Sequence, residues 1–313
     1  MKMSYTLKVS LFLIVCFGAL SPALSSSAFA QSLEPRLYSN IPLRMNFLIF
    51  GYGYSQGDVL IDPTLPIKDL NARIHLPVLA YVRSINLWGR SGKFDIVLPF
   101  AWLSGSGKIE GEAEARKRSI TGLGDPMVRL TVNLFGAPAL PLREFMSYRQ
   151  KTIVGASFQI SAPLGQYDPS KLGNIGTNRW MFKPEVGLSR ATGRWILETS
   201  TAMIFYSTND NFLGGSVRKQ SPILSIQGHA VYNFQSGAWT ALDITYYNGG
   251  RTTVDEIAKN DLQTNWRIGT TLALPLNRRH SIKFYGSTGL YTRTGTKFNI
   301  IGGAWQYRWG GGV

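Results

Sequence analysis

The amino-acid sequence predicts an all-β protein, a transmembrane antiparallel β-barrel of about 12 strands. Three observations predict it. The chain opens with an export signal, apolar and mixed residues alternate with period two from about residue 46 to the C-terminus, and short connections alternate with long ones.

The export signal comes first. Lys2 and Lys8 precede an apolar run from Leu11 to Leu20, and a small-residue stretch ends at Ala28-Phe29-Ala30. Residues 1–30 therefore read as a signal peptide, whose cleavage leaves Gln31 at the new N-terminus. Its apolar run is shorter than the roughly 20 residues a spanning helix needs, and no later stretch approaches that length, so insertion must be by strands. Cys16, the only cysteine, lies in that run. The mature chain is thus expected to lack thiols for disulfides, nucleophilic catalysis or metal binding. The formal charge of +15 falls to +13 without Lys2 and Lys8. In an exported protein this surplus meets lipid phosphates and anionic solutes rather than nucleic acid. No linker or charge block divides the rest, so residues 31–45 are expected as an N-terminal periplasmic segment and 46–313 as one outer-membrane barrel.

The strands follow in order. Asn46–Ser55 is the first. The second is the most regular, with Leu70, Ala72, Ile74, Leu76, Val78, Ala80 and Val82 on one face and Asn71, Arg73, His75, Pro77, Leu79, Tyr81 and Arg83 on the other. Apolar alternation then recurs through Phe94–Trp102, Val128–Leu134, Thr152–Ala162, Trp180–Leu188 and Trp195–Phe205. It continues through Leu224–Phe234, Leu242–Tyr246, Trp266–Leu274, Ile282–Leu290 and Ile301–Trp309. Tight links at Gly89–Gly92, Ala191–Gly193, Gln235–Gly237 and Pro275–His280 alternate with long ones at Gln56–Lys68, Ser104–Thr121, Pro163–Thr177, Ser207–Gln220 and Asn248–Asp261. Short periplasmic turns and long outer loops are the bacterial barrel pattern, and an even strand count returns both termini to the periplasm. Gly136–Gln150 and Arg293–Phe298 break the alternation, as a miscounted strand pair would.

The faces opposite the apolar ones carry the charges. Arg73, Arg83, Asp95, Arg129, Lys183, Glu185, Glu198, His229, Asp243 and Arg267 are expected to line a wet pore behind a lipid-facing apolar band, and their basic surplus would favour anions. By parity, Leu79, Tyr81, Val97, Tyr285 and Tyr291 are candidate apolar contacts on the inner wall. A soluble β-sandwich could put the same charges on its outer faces. The last strand carries Trp305, Tyr307 and Trp309 on one face, as in an interfacial girdle and in strands read by the barrel assembly machinery.

Two stretches resemble a known family. They are Gly122-Leu123-Gly124-Asp125-Pro126, and Ala162-Pro163-Leu164-Gly165-Gln166-Tyr167 running on to Asn174-Ile175-Gly176-Thr177-Asn178-Arg179-Trp180, Phe182-Lys183-Pro184 and Gly187. Together they resemble the transporter-like outer-membrane family associated with meta-pathway phenol degradation, over roughly residues 40 to 309. The sequence departs in having Leu164 where a threonine is expected. The resemblance implies a barrel passing aromatic or other hydrophobic small molecules, without catalytic residues. In the loop itself, Gly165 and Gly176 permit positive φ, Pro163 ends a strand, and Asn174 and Asn178 can bond nearby backbone. Arg179 and Trp180 are then expected at the outer interface, with the guanidinium near lipid phosphate and the ring at headgroup depth. A loop folded inward would narrow the pore.

Catalytic sets are sparse. His75, His229 and His280 are the only histidines, and neither H-E-x-x-H, G-x-S-x-G nor P-loop spacing occurs. A Ser-His pair with His229 as base stays open, because such pairs are defined by geometry. Glu110, Glu112 and Glu114, followed by Arg116, Lys117 and Arg118, read as a solvated hairpin extension rather than a cation site. No catalytic residue, cofactor or metal is expected. The expected partners are outer-membrane lipid and lipopolysaccharide, the barrel assembly machinery and a small apolar or aromatic solute. Two alternatives stand beside the channel: a lipid-modifying barrel enzyme, and a structural or periplasmic β-protein without a pore.

Overall fold

The structure, a computed structural model, describes residues 33–58, 67–109, 114–171, 173–294 and 299–312. The expected signal peptide and Cys16 lie outside them. Among these described residues, seventeen strands and one short helix follow in order: β1 (Met45–Asp58), β2 (Ile67–Leu87), β3 (Arg90–Ile109), β4 (Ala115–Leu123), β5 (Met127–Phe135), α1 (Leu142–Phe145), β6 (Thr152–Ser161), β7 (Met181–Thr192) and β8 (Trp195–Tyr206). Then come β9 (Asn209–Phe212), β10 (Ser216–Gln220), β11 (Ile223–Asn233), β12 (Trp239–Gly249), β13 (Thr252–Val254), β14 (Ile257–Ala258), β15 (Gln263–Pro275), β16 (His280–Thr292) and β17 (Ile300–Gly310).

The wall is one closed antiparallel sheet. Neighbours in sequence pair throughout, and the barrel shuts where β1 meets β17, from Met45↔Gly310 to Tyr54↔Ile301. β4 and β5 both pair with β3 and are the two halves of one stave interrupted at Gly124-Asp125-Pro126, so the sheet closes as twelve staves. Proline lacks the ladder donor, which is why the interruption falls there. β9, β10, β13 and β14 form a separate small sheet from the two loops on the outer side. The long link expected at Ser104–Thr121 is mostly strand, because a hairpin standing above the membrane pairs without needing an apolar face; Glu110 and Glu112 lie outside the described residues, and Glu114 is exposed. Gly136–Gln150 is a true exception to the short-turn rule, holding α1 and tying back through Tyr148, whose hydroxyl donates to Gly136 O at 2.8 Å. The twelve-stave count stands. The turn after β2 places Trp88 and Gly89 both at positive φ, the backbone of a two-residue hairpin turn whose twist matches its strands.

Side-chain parity agrees with the sequence in strand after strand: Phe94, Leu98 and Trp102, Val128 and Leu130, Val186 and Leu188, Trp195 and Leu197, Leu242 and Ile244 all face outward and are exposed to the lipid phase. β2 is the reverse of expectation. Ala72, Ile74 and Ala80 are buried while Leu79 is 43% exposed, so the regular apolar face looks inward, and Arg73, Arg83, Leu79 and Tyr81 look out. Physically this fits the membrane. Ten residues of strand span about 33 Å, or roughly 25 Å of depth at a tilt of about 40°, which is the height of a barrel's apolar band. Arg73 and Arg83 therefore stand at its two edges, not in the pore.

Candidate functional site

The lumen has two zones. In the periplasmic half, inward charges meet each other and the N-terminal segment. Arg129 on β5 faces Asp95 on β3 across the ladder, with Nε donating to Oδ2 at 2.8 Å, and it also pairs with Glu34. Lys183 reaches Glu185 at 3.0 Å, and Tyr38 donates to the other oxygen of Glu185 at 3.0 Å. Glu198 accepts from Arg36 N at 2.5 Å and from Ser189 at 2.8 Å. Lys93 donates to Leu37 O and Ser39 O. His229 Nδ1 lies 2.7 Å from Asp243 Oδ1, whose second oxygen accepts from Thr271; nearer the outer end of β15, beside Tyr247, Arg267 donates to Ser287 at 2.9 Å. Buried charges require such partners, since an unpaired ion away from water is costly.

Residues 33–39, part of the segment 31–45 expected at the periplasmic side, thus lie against inward-facing side chains of the barrel wall. The wall is cut to receive them. Gly155 and Gly187 stand directly opposite each other on β6 and β7, and a Cβ on either would fall 2.1 Å from the ring of Tyr38. Gly269 makes the same room for Leu33. Glycine in a strand interior often marks such a close approach.

The outer half holds two apolar clusters among buried polar side chains that include Arg179, Asn209 and Arg218. One buried cluster joins Ala72, Ile74, Ala101, Leu103, Ile120 and Ile175, and another joins Met127, Met181, Ile204, Ile223 and Tyr247. Between them lies a cavity of about 70 Å³, roofed by the 162–180 loop. Ile175 carries that loop inward, as the narrowing reading required. Asp125 anchors it: Oδ1 accepts from Gly165 N at 2.9 Å, and Oδ2 accepts from Thr177 N at 2.8 Å and Thr177 Oγ1 at 2.6 Å. The two sequence motifs are therefore one unit in space.

Chains with this barrel are already known. The family described as "Putative MetA-pathway of phenol degradation" matches residues 53–306. The chain belongs to this family. A crystal structure of the COG4313 outer membrane channel from Pseudomonas putida F1 shares the fold, with TM-score 0.74 and 19% identity over 89% of this chain and 100% of that one. Looser likenesses are the transport unit of the autotransporter AIDA-I from Escherichia coli (TM-score 0.48, 11% identity, 90% and 94% covered) and the KdgM porin (TM-score 0.44, 8% identity, 83% and 98% covered). Among curated proteins none matches. The protein is accordingly an outer-membrane β-barrel of the phenol-degradation family.

Each expected site residue now has a place. Asp95, Arg129, Lys183, Glu185, Glu198, His229, Asp243 and Arg267 face inward, but most are engaged with one another or with residues 34–39. Arg73 and Arg83 face out because β2 is apolar on its inner side. Of the apolar candidates, Val97 and Tyr285 face in, whereas Leu79, Tyr81 and the 57% exposed Tyr291 do not. In the family loop, Gly165 and Gly176 serve space rather than positive φ: a Cβ on Gly165 would meet Asp125 at 2.8 Å, and one on Gly176 would meet Gly165 at 2.7 Å. Positive φ falls instead on Gly173 and Asn178. Asn174 bonds Asp168 backbone as expected, while Asn178 reaches Asn209 on β9. Pro163 follows the end of β6. Trp180 is 45% exposed and stacked on Phe182, an outward ring as expected. Arg179 is the reverse of expectation, turned in over Tyr206 at 4.0 Å, because adjacent residues leading into a strand take opposite faces. The residues that sequence reasoning missed are Glu34, Arg36 and Tyr38; the paired strand-interior glycines were the available signal.

Proposed function

We propose that this barrel takes small hydrophobic or aromatic solutes across the outer membrane by passive diffusion, as a channel and not an enzyme. The observation that carries it is the outer cavity, in which Ile74, Leu76, Leu103, Met127 and Met181 supply the apolar part of the lining. A cavity of roughly 150 Å³ holds a benzene ring, so the 70 Å³ here receives a solute only when the 162–180 loop gives way. Both the cavity and the loop's single carboxylate anchor, Asp125, support that reading. Export by a signal peptide over residues 1–30 and closure by the barrel assembly machinery acting on the aromatic last strand belong to the same proposal. So does lipopolysaccharide phosphate at the outward, exposed Arg73, Lys108 and Lys117, which lie above the aromatic row of Tyr54, His75 and Trp102.

The test compares accumulation of radiolabelled toluene, at low concentration, by intact cells with and without the protein. Faster uptake in cells carrying it is expected. Equal initial rates, with the heat-modifiable barrel present in the outer membrane, would refute solute passage.

A further inference from the structure

The inner wall is packed unevenly. From β6 round to β15 its inward side chains are buried, Gln159, Lys183, Glu198, Gln227, Thr245 and Thr271 among them. Glycines on that side are filled from within, Gly155 and Gly187 by Tyr38 and Gly269 by Leu33. From β16 through β17 to β1 the same parity leaves Tyr285, Ala304, Gln306, Phe47 and Ile49 only half-buried. A Cβ on Gly51 would have as its nearest neighbours Val78 at 3.7 Å and Ala304 at 3.9 Å, both on the adjacent strands, so no group from the lumen rests on it.

Lys283 stands on this open stretch. It is inward, between Ala273 on β15 and Ala304 on β17, yet exposed, so its ammonium meets lumen water. Other inward cations are engaged: Arg129 with Asp95 and Glu34, Lys183 with Glu185, Lys93 with two carbonyls. Among the described residues Lys283 has no carboxylate partner, and its ammonium lies 5.8 Å from the ring centroid of Tyr285. The carboxylates whose field reaches it, Glu34 and Asp243, lie against Arg129 and His229. The stretch also leads to the outer cavity. Leu76, which lines that cavity, pairs with Gly53, where a Cβ would lie 3.7 Å from both Leu76 and the Tyr285 hydroxyl.

We propose that solutes cross the periplasmic half along the inner face of β16, β17 and β1, beside the docked segment, and that Lys283 is the charge filter of this passage, selecting small organic anions. The inference rests on the channel reading and adds to it a route and a preferred charge. Phe47, Ile49 and Val78 on the same wall accept the apolar body of such an anion while the ammonium attracts its head. A unit charge about 5 Å from a passing ion changes its local concentration by about four-fold even at the dielectric constant of water, and low-dielectric walls raise that figure.

The test is the reversal potential of single barrels in planar bilayers under a potassium chloride gradient. The wild type is expected to prefer chloride. Lys283→Met lowers the chloride-to-potassium permeability ratio by about four-fold or more, and Lys283→Glu turns the preference to potassium. Lys219→Met, on the exposed outer sheet, leaves the ratio unchanged. A second measurement keeps Lys283: in a Cys16→Ser, Ala304→Cys barrel, an anionic methanethiosulfonate added after assembly puts a negative charge on the neighbouring strand and lowers the ratio in the same way. A conducting barrel that prefers potassium, or whose ratio ignores Lys283→Met or the anionic reagent, overturns the filter alone. So does a Lys219→Met variant that shifts the ratio equally. A wild type that passes no current overturns the channel reading as well. Where Lys283→Met fails to assemble, as judged by heat-modifiable migration, the reagent on Ala304→Cys decides.

Discussion

Gly187→Ala is expected to free the segment within the periplasmic half of the barrel. The new Cβ would lie 2.1 Å from a ring atom of Tyr38, and an aromatic ring cannot bend away as a flexible side-chain tip could. Gly155, directly opposite, closes the other side of the slot. The ring must leave a site in which it is 3% exposed and donates to Glu185 at 3.0 Å. Burying a large side chain is worth about 1.5–3 kcal/mol, and a hydrogen bond to a charged group about 1.5–3 kcal/mol. Even the low ends together give about 3 kcal/mol, more than a hundred-fold in the docking equilibrium. The remaining anchors, Arg36 on Glu198 and Glu34 on Arg129, hold the segment only in part. Because Cys16 is the sole natural cysteine, a Cys16→Ser, Ser39→Cys background reports docking through maleimide labelling of position 39, which is buried at 8%. Labelling should quicken by one to two orders of magnitude, and single-channel conductance should rise. Gly228→Ala is the control, since its Cβ meets nothing closer than Ile244 at 3.3 Å. If Gly187→Ala labels no faster than this control, the slot does not hold the segment.

Asp125→Ala removes three hydrogen bonds to one carboxylate and should loosen the 162–180 loop by about 3 kcal/mol or more, read as faster tryptic cleavage at exposed Lys171 on intact cells. Leu79→Arg places a charge in the apolar band and should cost roughly 2–4 kcal/mol of folding into bilayers; a cost near zero would return β2 to the opposite parity. The outer hairpins should resist acid. Hydrogen bonds from Ser170 hold the Asp168 carboxyl below its ordinary 3.8, and those from Val217 N and Ser216 do the same for Asp255. Depressed carboxyls stabilise above the unfolded value and lose that contribution only as pH falls through the folded one, so pepsin cleavage of these loops should accelerate below about pH 3.8 and not between pH 7 and 4.5.

The barrel was legible because lipid imposes a binary rule on every outward face: Phe94 to Trp102 and Trp195 to Phe205 could be read one residue at a time. The rule failed at β2 because its outward face is mixed while its inner face is apolar from packing against Ile175 and Leu103, so the better alternation was the one hidden from lipid. The ten-residue spacing of Arg73 and Arg83 held the correct answer, for it matches the membrane's thickness rather than a pore's need for charge. The motif residues were legible as a loop but not as a latch. Asp125 lies 40 residues from Gly165 and 52 from Thr177, and no local pattern joins them. Residues 33–44 were least legible, since their partners lie as far as 197 positions away and so short a segment carries no periodicity.

The interruption at Gly124-Asp125-Pro126 also fixes how deeply the molecule can sit. Among the described residues β4 pairs in the sheet only with β3; Gln166 N donates to Leu123 O at 2.8 Å, but no strand neighbours the other edge from Ala115 onward, whose peptide groups lack a ladder partner. Hydrocarbon cannot satisfy them, whereas water and the sugars of the outer leaflet can. The oily layer must therefore stop at or below Leu123, and sinking the barrel by one further turn of its ladder would strip solvent from bare amides. Its waterline is written in the backbone as well as in the aromatic side chains.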